Sequence, residues 1–384
     1  DLMDKAAPSS KAPNITREEI EYAIKSLQNN KAAGIDNIPA ELIKHGGEDV
    51  TTALLDICNK ILTTGEWPQE WTKSILILIP KKVSNKCSEY RTVSLISHAS
   101  KVMLKFLQRR IEKAIESTLD DAQAGFRANR STAEQVCNLR VIGEKYIEHQ
   151  MAVHCNFIDY KKAFDRHRSG YFKCGVGVRQ GCILSPMLFN AFLEEIISRS
   201  LLDFEGGVLI HGREINNLRF ADDIALITSK EQELEELTRK LDETSRKFGM
   251  EISAEKSKLM FIDGDKHTRI STDIEANGGK LEQVSQFKYL GCTIAENGKS
   301  TKELKIRITV AQSALKKLGT IWKSNNISVA VKQRLLRAIV CSVLLYGCEE
   351  WTFTEEMEKR LRAFEFRCYR RLLRVTFRDR KTNV

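Results

Sequence analysis

Apolar residues recur with a helical period through much of the first 120 positions. Ile20, Ala23, Ile24 and Leu27 share one face behind Thr16 and Glu19, whose spacing is that of a capping box, and this predicts a helix. Ala53, Leu54, Ile57, Cys58, Ile61 and Leu62 repeat the pattern, and Leu104, Leu107, Ile111 and Ile115 predict the inner side of a third helix over about 98 to 117. Between these last two, residues 74 to 79 form an unbroken apolar run stopped by Pro80, the length of a buried strand.

Downstream, strands enter. Residues 152 to 158 read as a strand that delivers Asp159 at its end, and Ser185 with Pro186 opens a helix to about Leu201. Residues 217 to 221 and 224 to 228 are short strands parted only by Asp222 and Asp223, which predicts a hairpin with both acids at its tip. A helix from about Glu231 to Phe248 closes at Gly249, followed by short strands near 257 to 262 and 287 to 294 and then three helices over about 301 to 375. Residues 1 to 14, with Pro8, Ser9, Ser10 and Pro13, read as a loose leader. Strand, helix and hairpin between 152 and 294, flanked by helical stretches, make an α+β fold the expectation.

Length and composition narrow the choice. A chain of 384 residues accommodates two or three modules, and 42% apolar with 29% charged residues excludes a disordered chain. No apolar run nears the roughly 20 residues that span a bilayer, so no membrane partner is expected. The ten cysteines form no zinc-spaced cluster, which points to idle thiols inside a cell, in nucleus or cytoplasm. Asp1 in place of Met reads as a fragment or a displaced start. The net charge of +10 is uneven: Lys73 to Arg130 holds twelve Lys and Arg against five acids, and Lys359 to Lys381 holds ten against two. Two basic stretches around a more acidic middle fit a polyanion track, although solvated helix faces give the same pattern.

Asp159 at one strand end and Asp222 with Asp223 on a hairpin can converge if the strands are neighbours. Such carboxylates suit two hard cations of the Mg2+ type, Mn2+ included, which take oxygen ligands and can activate a hydroxyl and a triphosphate together. An adjacent acid pair alone decides nothing, since Asp120 and Asp121 are also adjacent in an exposed turn.

The flanking residues are more specific. Phe220-Ala221-Asp222-Asp223 resembles the F/YxDD hairpin of reverse transcriptases, and the segment Phe157 to Asp165 resembles their first aspartate motif. Glu89 to Leu95 and Gln123 to Arg127 are similar to the family's fingers motifs, Gly177 to Pro186 to its template and nucleotide loop, and Gly249 to Ile252 with Lys256 and Lys258, then Phe287 to Gly291, to its later palm and primer-grip motifs. These fall in the family's order over about residues 15 to 295. The helices beyond resemble the thumb of retrotransposons without long terminal repeats, of the LINE type and RTE-like.

The resemblance implies a right-hand polymerase: fingers over 15–150, a palm with an antiparallel sheet over 151–298, and a helical thumb and C-terminal segment over 299–384. It implies an RNA-directed DNA polymerase acting on an RNA template, a DNA primer and deoxynucleoside triphosphates with two Mg2+ ions. Asp159, Asp222 and Asp223 would hold the metals, with the carbonyl of Ile158 or Tyr160 as a further ligand. Lys82 and Arg91 would face the triphosphate, although Lys82 reads equally as a solvated lysine, and Arg127 would contact template phosphate or nucleotide. Phe164 would lie under the sugar and reject a 2' hydroxyl; without the resemblance it reads as core. Gln180 and Gly181 would sit at the templating pair, or simply form the turn before Ser185. Asp165 reads as a turn or cap residue. Tyr289 and Gly291 would lie near the primer terminus or form a plain strand turn. On the last helix Met357, Leu361, Phe364, Cys368 and Leu372 form the inner face, leaving Arg362, Arg367, Arg370, Arg371 and Arg374 for duplex phosphates or for solvent.

One segment departs from the family. Only residues 166–174 separate Asp165 from Gly175, too few for the long helix and strand pair the family places there. Two readings therefore stay open: an active polymerase, or a catalytically dead nucleic-acid-binding relic of such an element. A maturase-like splicing helper shares the fold, but nothing after the thumb resembles a maturase domain. No segment before residue 15 resembles an endonuclease, and no ribonuclease H-like acid cluster or zinc knuckle is evident.

Overall fold

The computed structural model describes residues 13–80, 90–161, 181–264, 266, 269 and 273–382, without the side chains of Arg91 and Phe377. Lys82, Phe164, Asp165, Gln180 and the short 166–174 segment lie outside the described residues. The chain divides into two compact units, one of residues 1–120 and 162–195, the other of residues 121–161 and 196–384.

In the first unit, α1 (Arg17–Lys25) starts with Thr16 and Glu19 capping each other reciprocally, as the spacing predicts. α2 (Ala40–His45) and α3 (Gly47–Thr64) follow. β1 (Ile75–Pro80) pairs antiparallel with β2 (Tyr90–Leu95), and α4 (His98–Glu116) completes the unit's helical core. Two expectations need correction. β1 is not buried: it belongs to a two-stranded ribbon, and Ile77, Leu78 and Ile79 are exposed. α4 buries Val102, Met103 and Phe106 against Ile20, Ala23 and Cys58, whereas Leu104, Leu107, Ile111 and Ile115 are only half-buried, because its packed face is rotated from the one the aliphatic spacing favours.

The second unit is built on a five-stranded sheet. α5 (Thr132–Glu148), which the apolar pattern does not announce, is capped by Ser131 and leads to β3 (Val153–Ile158). After α6 (Ser185–Leu201) come a small hairpin, β4 (Val208–Ile210) with β5 (Arg213–Ile215), and the pair β6 (Asn217–Phe220) and β7 (Asp223–Thr228). α7 (Glu231–Lys247) and β8 (Lys258–Ile262) follow, then the short strands β9 (Glu275–Ala276), β10 (Gly279–Lys280) and β11 (Glu282–Gln283). Strand order is β11-β8-β3-β7-β6, antiparallel except for β11 beside β8.

β3 lies at the centre and reads Val-His-Cys-Asn-Phe-Ile because both its faces are covered. Val153, Cys155 and Phe157 pack toward Val136, Leu139 and Tyr146 of α5. On the other face Asn156 donates to Thr238 of α7 at 2.9 Å, and His154 stacks on Phe261 at 4.2 Å.

Residues 286–295 are a hairpin rather than one strand: β12 (Gln286–Tyr289) turns at Leu290 and Gly291, both at positive φ, into β13 (Cys292–Ala295). Beyond it the three expected helices are interrupted rods. α8 (Thr301–Lys317) breaks at Leu318 before α9 (Gly319–Lys323). α10 (Val329–Leu335) continues through a π-helical stretch, Leu336–Cys341, into α11 (Ser342–Leu344), and α12 (Glu355–Leu373) ends the fold. Met357, Phe364, Cys368 and Leu372 of α12 are buried, as its spacing predicts. Among the described residues no helix is long and apolar enough to cross a membrane.

Candidate active site

The site is assembled at one end of the five-stranded sheet. The last pair of β3 and β7 is Ile158 with Ile224, so the next position along each strand sets Asp159 opposite Asp223. Such positions have Cα atoms about 4.5 to 5.5 Å apart. Phe220 pairs with Asp223, which leaves Ala221 and Asp222 as the turn. The sequence pattern places both acids at the tip; the structure makes Asp223 the first residue of β7 instead.

This turn is held under strain. Ala221 has φ +57°, a left-handed conformation usually left to glycine or asparagine and costly for a residue with a Cβ, by about 1 to 2 kcal/mol. The fully buried Gln123 side chain offsets that cost: its Oε1 accepts from Ala221 N at 2.9 Å and from Gly125 N at 2.8 Å. The backbone of residues 122–124 runs beside β6, with Ala124 N donating to Arg219 O and Arg219 N to Ala122 O, both at 2.9 Å. Gly125 comes so near the turn that a Cβ there would lie 2.2 Å from Ala221 N.

Charge is concentrated here. Reduced solvation, then the charges of Asp222 and Asp159, raise the Asp223 carboxyl from 3.8 to about 6, although the residue keeps an exposed edge. Lys256 Nζ stands 3.1 Å from Asp159 Oδ1. The Asp159 backbone is fixed as well: its N–H donates to Ser257 Oγ at 3.1 Å and its carbonyl accepts from Ser253 N at 2.8 Å. Among the described residues no three His, Cys, Asp or Glu side chains are already grouped to hold one ion. The donor set nevertheless fits hard divalent cations, which take carboxylate oxygens and keep several waters: three carboxylates are neighbours here, and reduced solvation together with their mutual charge raises Asp223.

The remaining sequence-predicted residues are dispersed. Arg91 pairs in β2 opposite Ile79. Arg127 donates to Gln123 O at 2.8 Å from the loop that supports the turn. Gly181, at φ +105°, packs against Ser94, where a Cβ would meet the carbonyl oxygen at 2.8 Å. Tyr289 is buried, with its hydroxyl 3.4 Å from Leu218 O, while Leu290 and Gly291 are half-buried and Gln286 and Lys288 are the hairpin's exposed residues. Arg367 and Arg371 are exposed, and Arg370 reaches Lys381 O at 2.5 Å. Arg374 donates to the carbonyls of Trp322 and Lys323 and to Asn325, so its guanidinium closes the end of α9.

Sequence reasoning quotes Gln123 and Lys256 only as parts of motifs and passes over Arg307 and Tyr346. Arg307 pairs with the buried Glu303 one turn earlier on α8, and its guanidinium donates to Gly291 O. The Glu303/Arg307 spacing on a helix is the one signal that could have flagged it.

Comparison with known proteins identifies the family. The sequence profile described as reverse transcriptase (RNA-dependent DNA polymerase) matches residues 79–169 and 165–294, more than half of the chain, in two pieces that meet at 165–169. A probable RNA-directed DNA polymerase from transposon BS of Drosophila melanogaster is 26% identical over 385 residues, covering 87% of this chain and 42% of the relative. The RNA-directed DNA polymerase from mobile element jockey of the same fly is 21% identical, covering 93% of this chain and 44% of its own length. The chain thus spans less than half of these curated relatives. Among solved structures, apo telomerase from Candida tropicalis aligns with a TM-score of 0.42 and 12% identity over 84% of this chain and 66% of that one. The chain belongs to the reverse transcriptase (RNA-dependent DNA polymerase) family, alongside the polymerases of LINE-type retrotransposons without long terminal repeats.

Proposed function

We propose that the chain forms the polymerase centre of an RNA-directed DNA polymerase, with the β11-β8-β3-β7-β6 sheet as palm, the segment over 15–150 as fingers and the helices over 299–384 as thumb. The observation that carries this reading is the register that sets Asp159 opposite Asp223 beside Asp222. These carboxylates would hold two Mg2+ ions, which supply an activated 3' hydroxyl and a neutralised triphosphate. Lys256 pairs with Asp159, and Gln123 keeps the turn from relaxing. Lys82, Arg91 and Arg127 are assigned to triphosphate and template, Phe164 to sugar selection, and Gln180 with Gly181 to the templating pair. RNA template and DNA primer are the partners, with Arg367 and Arg371 available for phosphate contacts.

The test is primer extension on an RNA template with Mg2+. The intact chain is expected to extend and Asp222→Asn to lose all but a trace; equal extension by both excludes the reading. One observation favours the relic alternative, the split of the family match at 165–169, where the chain is short. That alternative expects salt-sensitive binding of RNA/DNA hybrid with no extension by either protein.

A further inference from the structure

The β12–β13 hairpin is fastened to the acidic end of the sheet. Phe287 stacks on Phe157 at 4.3 Å, two residues from Asp159. The Tyr289 ring lies 5.4 Å from the same Phe157, and its hydroxyl lies 3.4 Å from Leu218 O on β6. The Leu290–Gly291 turn is therefore the next backbone beyond a side chain packed on the strand that leads to Asp159.

That turn is gripped by two residues from the C-terminal part of the chain, Arg307 of α8 and Tyr346 in the turn after α11. The Arg307 guanidinium donates to Gly291 O, and its charge is fixed by Glu303, which is 1% exposed and also accepts from Thr293 N at 2.8 Å. The Arg307 guanidinium carbon lies over the Tyr346 ring, 4.6 Å from its centroid, and the Tyr346 hydroxyl donates to Leu290 O at 3.1 Å. Both outward carbonyls of the turn are thus occupied, so the turn cannot rise or tilt without breaking a charged contact. A Cβ at Gly291 would come within 3.0 Å of the Tyr346 oxygen, so the contact is also sterically close.

We infer that Arg307 and Tyr346 are positioning residues for the primer 3' end, acting through the Leu290–Gly291 turn. The inference rests on the polymerase reading above. A shift of about 1 Å in a reacting group can lower a rate a hundredfold, so loss of one grip should show in turnover before it shows in stability.

The test compares the intact chain with Tyr346→Phe, which keeps the ring, and Arg307→Lys, which keeps the charge but not the fork. Both bind an RNA/DNA hybrid carrying 2-aminopurine at the primer 3' end. Tyr346→Phe is expected to lower kcat for extension about tenfold, with KM for deoxynucleotide and hybrid affinity within about twofold and the unfolding midpoint within about 2 °C. The probe's fluorescence should move toward that of free hybrid, and Arg307→Lys should shift it the same way. Wild-type fluorescence and rate in Tyr346→Phe overturn the inference. A wild-type chain that extends nothing yet whose probe signal still depends on Tyr346 supports the grip and sinks the polymerase reading. A wild-type chain that neither extends nor perturbs the probe sinks both.

Discussion

Replacing Asp223 with Asn removes one of three neighbouring negative charges while keeping the side chain's shape. Burial and the charges of Asp222 and Asp159 raise the carboxyl from 3.8 to about 6. A rise of about two units is worth about 3 kcal/mol between protonation states, and screening at the exposed edge cuts this to about 1 kcal/mol. Because the folded form binds the proton more tightly, the penalty is absent below about pH 4, grows as pH rises, and is complete above about pH 6. Urea unfolding without divalent metal should therefore find Asp223→Asn more stable than wild type by about 1 kcal/mol at pH 8 and equal to it near pH 4. With Mg2+ at about 100 times its dissociation constant the order should reverse, since the ion adds about 2.7 kcal/mol to a wild type whose carboxylates bind it. A metal-free mutant that is less stable at pH 8, or a gain that does not change between pH 4 and pH 8, would refute the electrostatic argument.

Three further outcomes are expected. Gly125→Ala forces a methyl group to 2.2 Å from Ala221 N and should cost about 2 to 3 kcal/mol in thermal unfolding, with loss of primer extension. Glu350, 7% exposed, is pushed up to about 7 by burial, against the pull of Arg140, so wild-type stability should fall between about pH 4.5 and pH 7. Glu350→Gln should recover about 1 to 2 kcal/mol at pH 8 and nothing at pH 4, read by urea unfolding. Phe164→Val should raise ribonucleotide incorporation about tenfold or more in single-nucleotide extension if the ring rejects a 2' hydroxyl; unchanged sugar selectivity removes that role.

What the sequence makes legible depends on how local the cause is. The Thr16/Glu19 cap, the β3 strand ending at Asp159 and the two strands around Asp222 are governed by neighbours a few residues away, and patterning finds them. The same period missed α5, whose buried face interleaves Arg140 and Gly143 with Val136, Leu139 and Tyr146 and so blurs the apolar stripe. The 286–295 hairpin is half legible: Gly291 admits a turn within the apolar run, but Leu290 gives no warning of its left-handed backbone, which Arg307 and Tyr346 hold through the turn's carbonyls. Partners distant in sequence leave no mark: Gln123 reaches Ala221, and Arg374 and Lys332 both spend their charges on the Trp322 carbonyl.

The open ribbon of β1 and β2 carries a practical consequence for anyone handling the protein. Ile75, Ile77, Leu78 and Ile79 are 38%, 42%, 60% and 48% exposed on a strand that, among the described residues, pairs along one edge, an arrangement prone to recruit another chain. Concentrated stocks are expected to associate through this ribbon, so light scattering at the working dilution belongs beside every measurement of activity. A lysine in place of Leu78 would give a better-behaved sample without touching the acids.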